Sequence, residues 1–284
     1  MTSEWQWDET LFLGSAPHYV RGRLPYAPNL ADRMTEILSL DGNGRLLDVG
    51  CGPGLLTLLL AKSFDEAVGV NPDPGMLAEA ERRANEAGIT NIRWVKARAE
   101  ELPAELGTFR VATFGRSFHW MNRPRVAAII REMLEPGGAF VQVATMPEEH
   151  SESVTDLPYP VPPQQAIGEL VRRYLGHDRR AGQGVRERSP DDEVDVLARA
   201  GFEDYQEVFI PIEGVLVRTE DDIVALVFSW SGSAPHLFGE RLGEFEADLR
   251  KLLHDASPSG IFAEQPHETQ LRIWRKPQRE VAVR

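Results

Sequence analysis

The run LLDVGCGPGLLTLLLA, Leu46 to Ala61, constrains the fold of this chain more than any other segment. Its apolar start is typical of a short buried strand. Gly50, Gly52 and Gly54 follow with the spacing G-x-G-x-G, and an apolar helix pattern begins at Leu55. Glycine lets the backbone turn tightly and lets a ligand approach without side chains in the way. A strand, a glycine turn and a helix in this order predict a cofactor site at the carboxyl edge of a parallel sheet, with the free N–H groups of the helix start facing the ligand.

Two classes of cofactor compete for this glycine turn. A dinucleotide fingerprint requires G-x-G-x-x-G, and its third glycine would fall on Leu55. The string DVGCGPG instead closely resembles the first motif of class I S-adenosylmethionine-dependent methyltransferases. The resemblance implies that Asp48 opens the motif. It also implies that the turn, with Gly50 and Gly52, lies against the methionine end of S-adenosylmethionine.

The next block, DEAVGVNPDPGML from Asp65 to Leu77, predicts a second strand followed by a capped helix. Asp73 is a good N-cap, and Pro74 suits the first helical position. In the family that it resembles, the residue that ends this strand holds the ribose hydroxyls and is usually Asp or Glu. Asn71 takes that place here, so an amide replaces the charge. Met76 is placed like the residue that packs on the adenine, with an ordinary core methionine as the alternative.

A third block, NIRWVKARAEELP, predicts another strand and then the pair Ala99 and Glu100. The resemblance implies that this pair meets the adenine, Ala99 through its backbone amide and Glu100 through a side-chain acceptor. The alternative for Glu100 is a solvated carboxylate at the start of a helix.

The fourth block, Phe109 to Met121, predicts a buried strand with Gly115 and Arg116 at its carboxyl end, where ligands bind in open α/β sheets. The phrase SFHWM resembles small-molecule methyltransferases related to the trans-aconitate and quinone enzymes. We therefore expect Gly115 to contact the cofactor and Arg116 and Trp120 to contact a substrate. His119 is the candidate general base, because an unperturbed imidazole titrates near pH 6.5. The alternative is a structural histidine that shapes the pocket with Trp120.

The segment HYVRGRLPYAP, His18 to Pro28, precedes this core and resembles the Y-x-x-x-R-P-x-Y-P segment of the trans-aconitate-like branch. That resemblance implies that Tyr19 closes over the methionine end of the cofactor. Leu24 departs from the usual proline. Trp5 either lines the substrate pocket or packs this N-terminal arm onto the core.

The remaining pattern predicts a helix, a fifth strand and then alternating helices and strands. We expect strands at 139–144, 203–217 and 271–275, and helices at 123–134, 164–175, 221–230 and 235–254, with a further helix opened by Ser189 and ended by Gly201. The last two strands should pair antiparallel at one sheet edge.

The predicted fold is α/β: a Rossmann-like, mostly parallel seven-stranded sheet with an antiparallel last strand, helices on both faces and helical cap insertions. We expect a single methyltransferase domain over residues 1–284. It comprises an arm at 1–30, a cofactor-binding core at 31–145, and cap insertions at 146–188 and 218–260.

Charge and composition narrow the function classes. Asp and Glu number 44 against 31 Lys and Arg, a net charge of −13 that disfavours nucleic-acid partners. The densest basic stretch, His177 to Arg188, is either a solvated loop or a lid that contacts an anionic substrate. The single cysteine, Cys51, excludes a disulfide framework. With no apolar run of bilayer length, no signal-like start and no metal-ligand spacing, we expect a cytoplasmic monomer or homodimer without membrane or metal partners.

The resemblance implies an enzyme that transfers the methyl group of S-adenosylmethionine to an O, C or N atom of a small molecule and releases S-adenosylhomocysteine. Natural-product or secondary metabolism is the expected setting. The alternative is an S-adenosylmethionine-binding protein of the same fold that does not methylate, either another enzyme or a regulatory pseudoenzyme.

Overall fold

The structure is a computed structural model that describes residues 8–102, 104–145, 157–177, 180–181, 184–185, 192–265 and 268–278. Its strands are β1 (Arg45–Val49), β2 (Glu66–Asn71), β3 (Ile92–Lys96), β4 (Phe109–Gly115), β5 (Leu134–Thr145), β6 (Arg180–Ala181), β7 (Gly184–Val185), β8 (Glu203–Ile210), β9 (Leu216–Thr219), β10 (Ile261–Glu264) and β11 (Thr269–Arg275). Its α-helices are α1 (Ala16–Gly22), α2 (Leu30–Leu38), α3 (Leu55–Leu60), α4 (Pro74–Glu86), α5 (Arg123–Met133), α6 (Gln164–Leu175), α7 (Glu193–Arg199), α8 (Glu220–Phe228) and α9 (Leu242–Ala256).

Seven strands form the main sheet in the order β3-β2-β1-β4-β5-β11-β8. β1 to β5 pair in parallel, while β11 runs antiparallel to both β5 and β8. This confirms the predicted fold class and the antiparallel pair at one edge. The chain order reverses between β1 and β4, so the loops after these two strands diverge and leave a crevice at their carboxyl ends.

Both faces of the sheet are covered by apolar layers. Neighbouring residues of a strand point to opposite faces. Leu46 therefore joins a cluster with Leu30 and Met34 of α2, and Leu47 joins another with Val126 and Ile130 of α5. All six side chains are fully buried. The sheet is thus the middle layer of a three-layer sandwich.

A third apolar cluster lies apart from the sheet and unites α6, α8 and α9. Its largest members include Phe228, Phe238 and Phe245, and the rings of Phe238 and Phe245 stack with centroids 4.0 Å apart. We call these three helices, with the 3-10 helix Pro235–Arg241, the cap. β9 and β10 form a separate two-stranded sheet beside it.

The N-terminal arm, residues 8–30, is fastened to the cap. The Ser15 hydroxyl donates to the carbonyl of Phe228 over 2.8 Å, and the Arg23 guanidinium donates to the carbonyl of Ser229 over 2.6 Å. α1 packs directly on α8. A Cβ added at Gly22 would lie 2.4 Å from the backbone of Ala225, so glycine at this position permits the close approach.

Several predicted boundaries were wrong. β5 starts at Leu134 and not at Ala139, so the preceding helix ends at Met133. The expected strand at 203–217 divides into β8 and β9, because Pro211 cannot donate to the sheet ladder. The cap of α7 is Asp192, whose side chain accepts from the Val194 N–H, and the predicted cap Ser189 lies outside the described residues.

None of the helices in the described ranges has the length and apolar content that crossing a bilayer requires.

We expect Gly22→Ala to lower the free energy of unfolding by about 1–3 kcal/mol, since the new methyl group overlaps the backbone of α8. Urea unfolding measures the change. Gly243→Ala, in α9, is the matched control, because a Cβ there meets nothing within 4 Å. The control should be neutral or more stable by up to about 1 kcal/mol. Equal effects of the two substitutions would contradict the packing of α1 on α8.

Candidate functional site

The glycine turn between β1 and α3 is left-handed at three positions. Gly50, Gly52 and Gly54 have φ of 70°, 54° and 75°. A Cβ at Gly50 would lie 2.6 Å from that of Ser117, and one at Gly54 would lie 2.8 Å from the Trp94 ring, whereas one at Gly52 meets nothing within 4 Å. Gly50 and Gly54 are therefore needed for packing, and Gly52 leaves space for a ligand.

Three N–H groups of the turn are used inside the protein. Those of Gly50 and Cys51 both donate to the carbonyl of Val70, and that of Gly54 donates to the carbonyl of Cys51. These three donors are therefore not available to a ligand. The donors predicted to face the ligand are the N–H groups at the start of α3, which begins after Gly54, and they stay a prediction.

Asp48 lies fully buried beneath the turn. Its carboxylate accepts from the Thr57 hydroxyl over 2.5 Å and from the Thr113 hydroxyl over 2.9 Å. Burial raises the pKa of Asp48 to about 6, and the two hydroxyl bonds oppose that rise. Cys51 is also buried, and burial raises the pKa of its thiol.

Asn71 ends β2 and lines the cleft above the turn. Its side-chain oxygen accepts from the backbone N–H of Asp73 over 2.9 Å. That bond fixes the orientation of the amide and leaves its NH₂ group as the donor available to a ligand. Asp73 caps α4 as predicted, accepting from the N–H groups of Gly75 and Met76.

Glu100 is buried, which contradicts the alternative of a solvated carboxylate. One oxygen accepts from the Asn122 N–H over 2.8 Å at the start of α5, while the other lies 3.9 Å from Arg98. Ala99 and Met76 are also buried and line the same cleft. Together they form one end wall, with a single carboxylate oxygen left to face a ligand.

The cleft that these residues line, called here the glycine-turn cleft, encloses about 760 Å³. It brings together ten of the predicted residues: Tyr19, Gly50, Gly52, Asn71, Met76, Ala99, Glu100, Gly115, Arg116 and Trp120. A smaller extension of about 450 Å³ runs toward Asp48 and Cys51. Tyr26 closes that extension, and its hydroxyl would lie 2.8 Å from a Cβ on Gly115. Burial raises the pKa of Tyr26.

A second space, called here the cap cavity, lies between the arm, the cap and the loop after β4 and has a volume of about 1440 Å³, which includes space open to solvent. Four side chains line both spaces: Phe12, Tyr19, Arg116 and Trp120. The Phe12 ring packs edge-on against both Tyr19 and Trp120, with centroids 6.0 and 6.1 Å apart. The three rings, called here the aromatic partition, lie at the border where the cleft and the cap cavity adjoin.

His119 lines the cap cavity and not the glycine-turn cleft. Its imidazole is exposed and tilts against Trp120 with ring centroids 4.8 Å apart. Trp5, the remaining predicted substrate residue, lies outside the described residues.

Arg23 is a site residue that the sequence predictions did not include, although it holds the arginine place in the His18–Pro28 segment. It lines both the cap cavity and the extension toward Asp48. Its guanidinium lies over the Tyr19 ring at 4.7 Å, and its buried Nε has no hydrogen-bond partner in the described structure. Burial lowers the pKa of Arg23, with nearby Arg116 adding to that effect. The hydrogen bond to Ser229 helps to place Arg23 in the site. The sequence alone does not reveal this bond, because the two residues lie 206 positions apart.

The described residues contain no group of three or more His, Cys, Asp or Glu side chains that could bind a metal ion.

The raised pKa of Asp48 predicts how the free energy of unfolding changes with pH. Because the folded pKa of about 6 lies above the ordinary 3.8, the folded state binds this proton more tightly, and stability is lost as pH rises between these values. Asp48→Asn removes that dependence. From pH 4 to pH 7 the variant should gain about 3 kcal/mol in free energy of unfolding relative to the parent, measured by urea titration at each pH. A constant difference between the two proteins would contradict the buried, titrating carboxylate.

Comparison with known proteins agrees with this geometry. Residues 46–138 match the model of a methyltransferase domain family. A protein-L-isoaspartate O-methyltransferase of Anaeromyxobacter dehalogenans is 36% identical over 115 residues, 40% of this chain and 53% of that protein. The demethylmenaquinone methyltransferase of Bacillus subtilis is 30% identical over 124 residues, 42% of this chain and 52% of that protein. The chain spans about half the length of these curated relatives.

Among solved structures, the YcgJ protein of Bacillus subtilis matches with a TM-score of 0.51 and 19% identity, covering 87% of this chain and 97% of that chain. At this identity the likeness shows the fold alone. The matched segment 46–138 contains the glycine turn, Asn71, Ala99, Glu100 and Gly115. This segment, about a third of the chain, is therefore similar to the methyltransferase domain family.

Proposed function

We propose that the chain transfers the methyl group of S-adenosylmethionine to a small molecule held in the cap cavity. The observation that carries this proposal is the aromatic partition, whose residues line both the glycine-turn cleft and the cap cavity. Ligands in the two spaces would therefore lie next to each other. In this proposal S-adenosylmethionine, the methyl donor, binds in the glycine-turn cleft, and the acceptor binds in the cap cavity.

The residues of the glycine-turn cleft fit the cofactor. Gly52 leaves space where any side chain would intrude, and Asn71 presents an NH₂ group to ribose oxygens. Met76, Ala99 and the second oxygen of Glu100 suit an adenine and its exocyclic amine. The Arg23 guanidinium suits the methionine carboxylate, because it reaches the extension beside the turn.

S-adenosylmethionine supplies a sulfonium that is already activated for methyl transfer, so the protein's task is alignment and exclusion of water. The aromatic side chains of the partition border both spaces and restrict the access of water to the place where they adjoin. His119, on the acceptor side, takes the proton from a hydroxyl or acidic carbon. Asp48 stays beneath the turn and holds its shape through Thr57 and Thr113.

The shape of the cap cavity favours a small-molecule acceptor. It is a concave space between the arm, the cap and the loop after β4, as small-molecule sites commonly are. Among the relatives, the demethylmenaquinone enzyme is named for a small molecule and the isoaspartate enzyme for a protein. Both alignments cover about 40% of this chain, and we propose that the cap determines which acceptor binds. We propose one domain over residues 1–284, with the arm at 1–30, the core at 31–145 and cap insertions at 146–188 and 218–260.

The test uses S-adenosylmethionine carrying a labelled methyl group, incubated with the full chain and a fraction of metabolites below 1 kDa. Label should appear in an extractable small molecule together with S-adenosylhomocysteine. Binding of S-adenosylhomocysteine without any labelled product would favour a non-methylating enzyme or pseudoenzyme of the same fold. Label in protein would overturn the small-molecule acceptor.

We expect Gly52→Ala to abolish S-adenosylhomocysteine binding, because the methyl group occupies the space that the cofactor needs. Gly42→Ala is the matched control, since Gly42 also has positive φ, 87°, and a Cβ there meets nothing within 4 Å. Both variants should lose about 1–2 kcal/mol of stability from backbone strain, and Gly42→Ala should keep the parent's affinity. Calorimetric titration measures binding, and retained binding by Gly52→Ala would contradict the site.

We expect Asn71→Ala to weaken S-adenosylhomocysteine binding by about 1–3 kcal/mol, because it leaves ribose hydroxyls unpaired. Asn71→Asp should match or improve the parent's affinity, as a carboxylate accepts from both hydroxyls. Calorimetry measures both variants. If Asn71→Ala binds with unchanged affinity, Asn71 does not hold the ribose. The contact would then be assigned to Asp73, which also lines the cleft.

We expect His119→Ala to lower turnover ~10²–10⁴-fold with little change in cofactor affinity, because a general base acts in the chemical step. His119→Asn should be nearly as slow. His254→Ala, an exposed histidine on α9 that lines neither space, is the control and should keep parental turnover. If His119→Asn keeps turnover within a few-fold of the parent, His119 is a positioning residue beside Trp120.

A further inference from the structure

The cap cavity is cationic although the chain as a whole carries a net charge of −13. Its lining in the described structure includes Arg23, Arg116, Arg172, His119 and His177, and no aspartate or glutamate. The charge of this lining is opposite in sign to the net charge of the chain. This contrast indicates a ligand that needs positive charge at this place.

Among the described residues, the arginines of the cap cavity lack the ion pairs that other arginines of this protein form. Arg21, Arg82 and Arg250 each contact two or more carboxylates. Within the described ranges, no carboxylate oxygen lies within 4.0 Å of a guanidinium nitrogen of Arg23, Arg116 or Arg172.

Arg116 is held in an unusual backbone conformation. Its φ is 56°, in the left-handed region that non-glycine residues seldom adopt. Its N–H donates to the carbonyls of Phe114 and Val143, and its side chain lies 3.5 Å from the Thr145 hydroxyl. Strain of this kind persists where surrounding structure enforces it, and here it directs a cation to the partition between the two spaces.

The proposed cofactor would add positive charge next to the cap cavity. Its sulfonium would add a positive charge beside Arg116 and Arg23, and like charges at close range repel in a partly enclosed site. The methionine carboxylate would pair with Arg23, but a neutral acceptor would leave Arg116 and Arg172 uncompensated. An acceptor with a negative group would offset them and would pair with guanidinium through two parallel hydrogen bonds.

Apolar rings form the rest of the cavity wall. Phe12 and Trp120 face it from the partition, and Trp230 faces it from the loop after α8. Flat rings pack well on aromatic side chains, which fixes orientation as well as burial. Resting on the proposed function, we propose that the acceptor is an organic anion, a carboxylate or phosphate on a planar apolar body. Arg116 and Arg172 anchor it in the cap cavity.

The chemistry of the step balances. The accepting atom's electron pair forms the bond to the methyl carbon, the carbon–sulfur bond breaks, and its electrons return to sulfur, which becomes a neutral thioether. A proton on the accepting atom passes to His119. The anchoring carboxylate or phosphate keeps its charge throughout, so Arg116 and Arg172 stay neutralised before and after transfer.

The experiment uses the full chain saturated with S-adenosylhomocysteine and two matched probe pairs, 2-naphthoate with 2-naphthamide and 2-naphthyl phosphate with 2-naphthol. Calorimetric titration first measures S-adenosylhomocysteine, whose failure to bind would overturn the proposed function separately. With the cofactor product bound, at least one anion should bind about tenfold or more tightly than its neutral partner. Comparison of the two pairs tells a carboxylate site from a phosphate site.

Arg172→Gln and Arg116→Gln should each remove most of the preference for the anion. Arg172→Gln should leave S-adenosylhomocysteine affinity unchanged, because Arg172 lines the cap cavity alone. Arg173→Gln is the matched control: it is the next residue on α6, exposed and outside the cavity lining. It should keep the full preference.

Equal binding within each pair, or no binding of any probe while S-adenosylhomocysteine binds, would overturn the anionic acceptor. An equal loss of preference in Arg173→Gln and Arg172→Gln would also overturn it, since the effect would then come from general surface charge.

Discussion

The buried carboxylate of Asp48 joins the elements on which the site is built. It lies on β1 and accepts hydrogen bonds from Thr57 on α3 and Thr113 on β4. A buried carboxylate is costly unless such donors surround it. The Ser117 hydroxyl adds a bond of 2.6 Å to the carbonyl of Val49. The glycine turn spans the gap between β1 and α3, so its left-handed conformation depends on these bonds.

Features encoded within a short stretch of sequence could be predicted. The five parallel strands and the N-cap Asp73 each follow from a handful of neighbouring residues. The division of the predicted strand 203–217 could also have been predicted, because Pro211 interrupts it. The acceptor of the Gly50 and Cys51 N–H groups could not be predicted, since Val70 belongs to a different strand.

Contacts between distant segments escaped the sequence predictions for the same reason. Nothing near Arg23 indicates that its guanidinium reaches Ser229, and nothing near Glu100 indicates that one of its oxygens serves the Asn122 N–H. These contacts decide which polar atoms remain for ligands. The residues facing the cleft were therefore predictable, while the number of hydrogen bonds each can still offer required the folded structure.

The fastening of the arm to the cap has a consequence for biosynthesis. The bond from Ser15 to Phe228 spans 213 residues of chain. At ~5–20 residues per second, roughly 10–40 seconds of translation separate the emergence of α1 from that of its partner helix. The strands of the cofactor half are already synthesised in that interval, whereas Ser15 and the apolar side of α1 wait unpaired on the nascent chain. The entrance of the site is thus completed late, and substitutions that delay arm docking expose apolar surface before they affect the sheet.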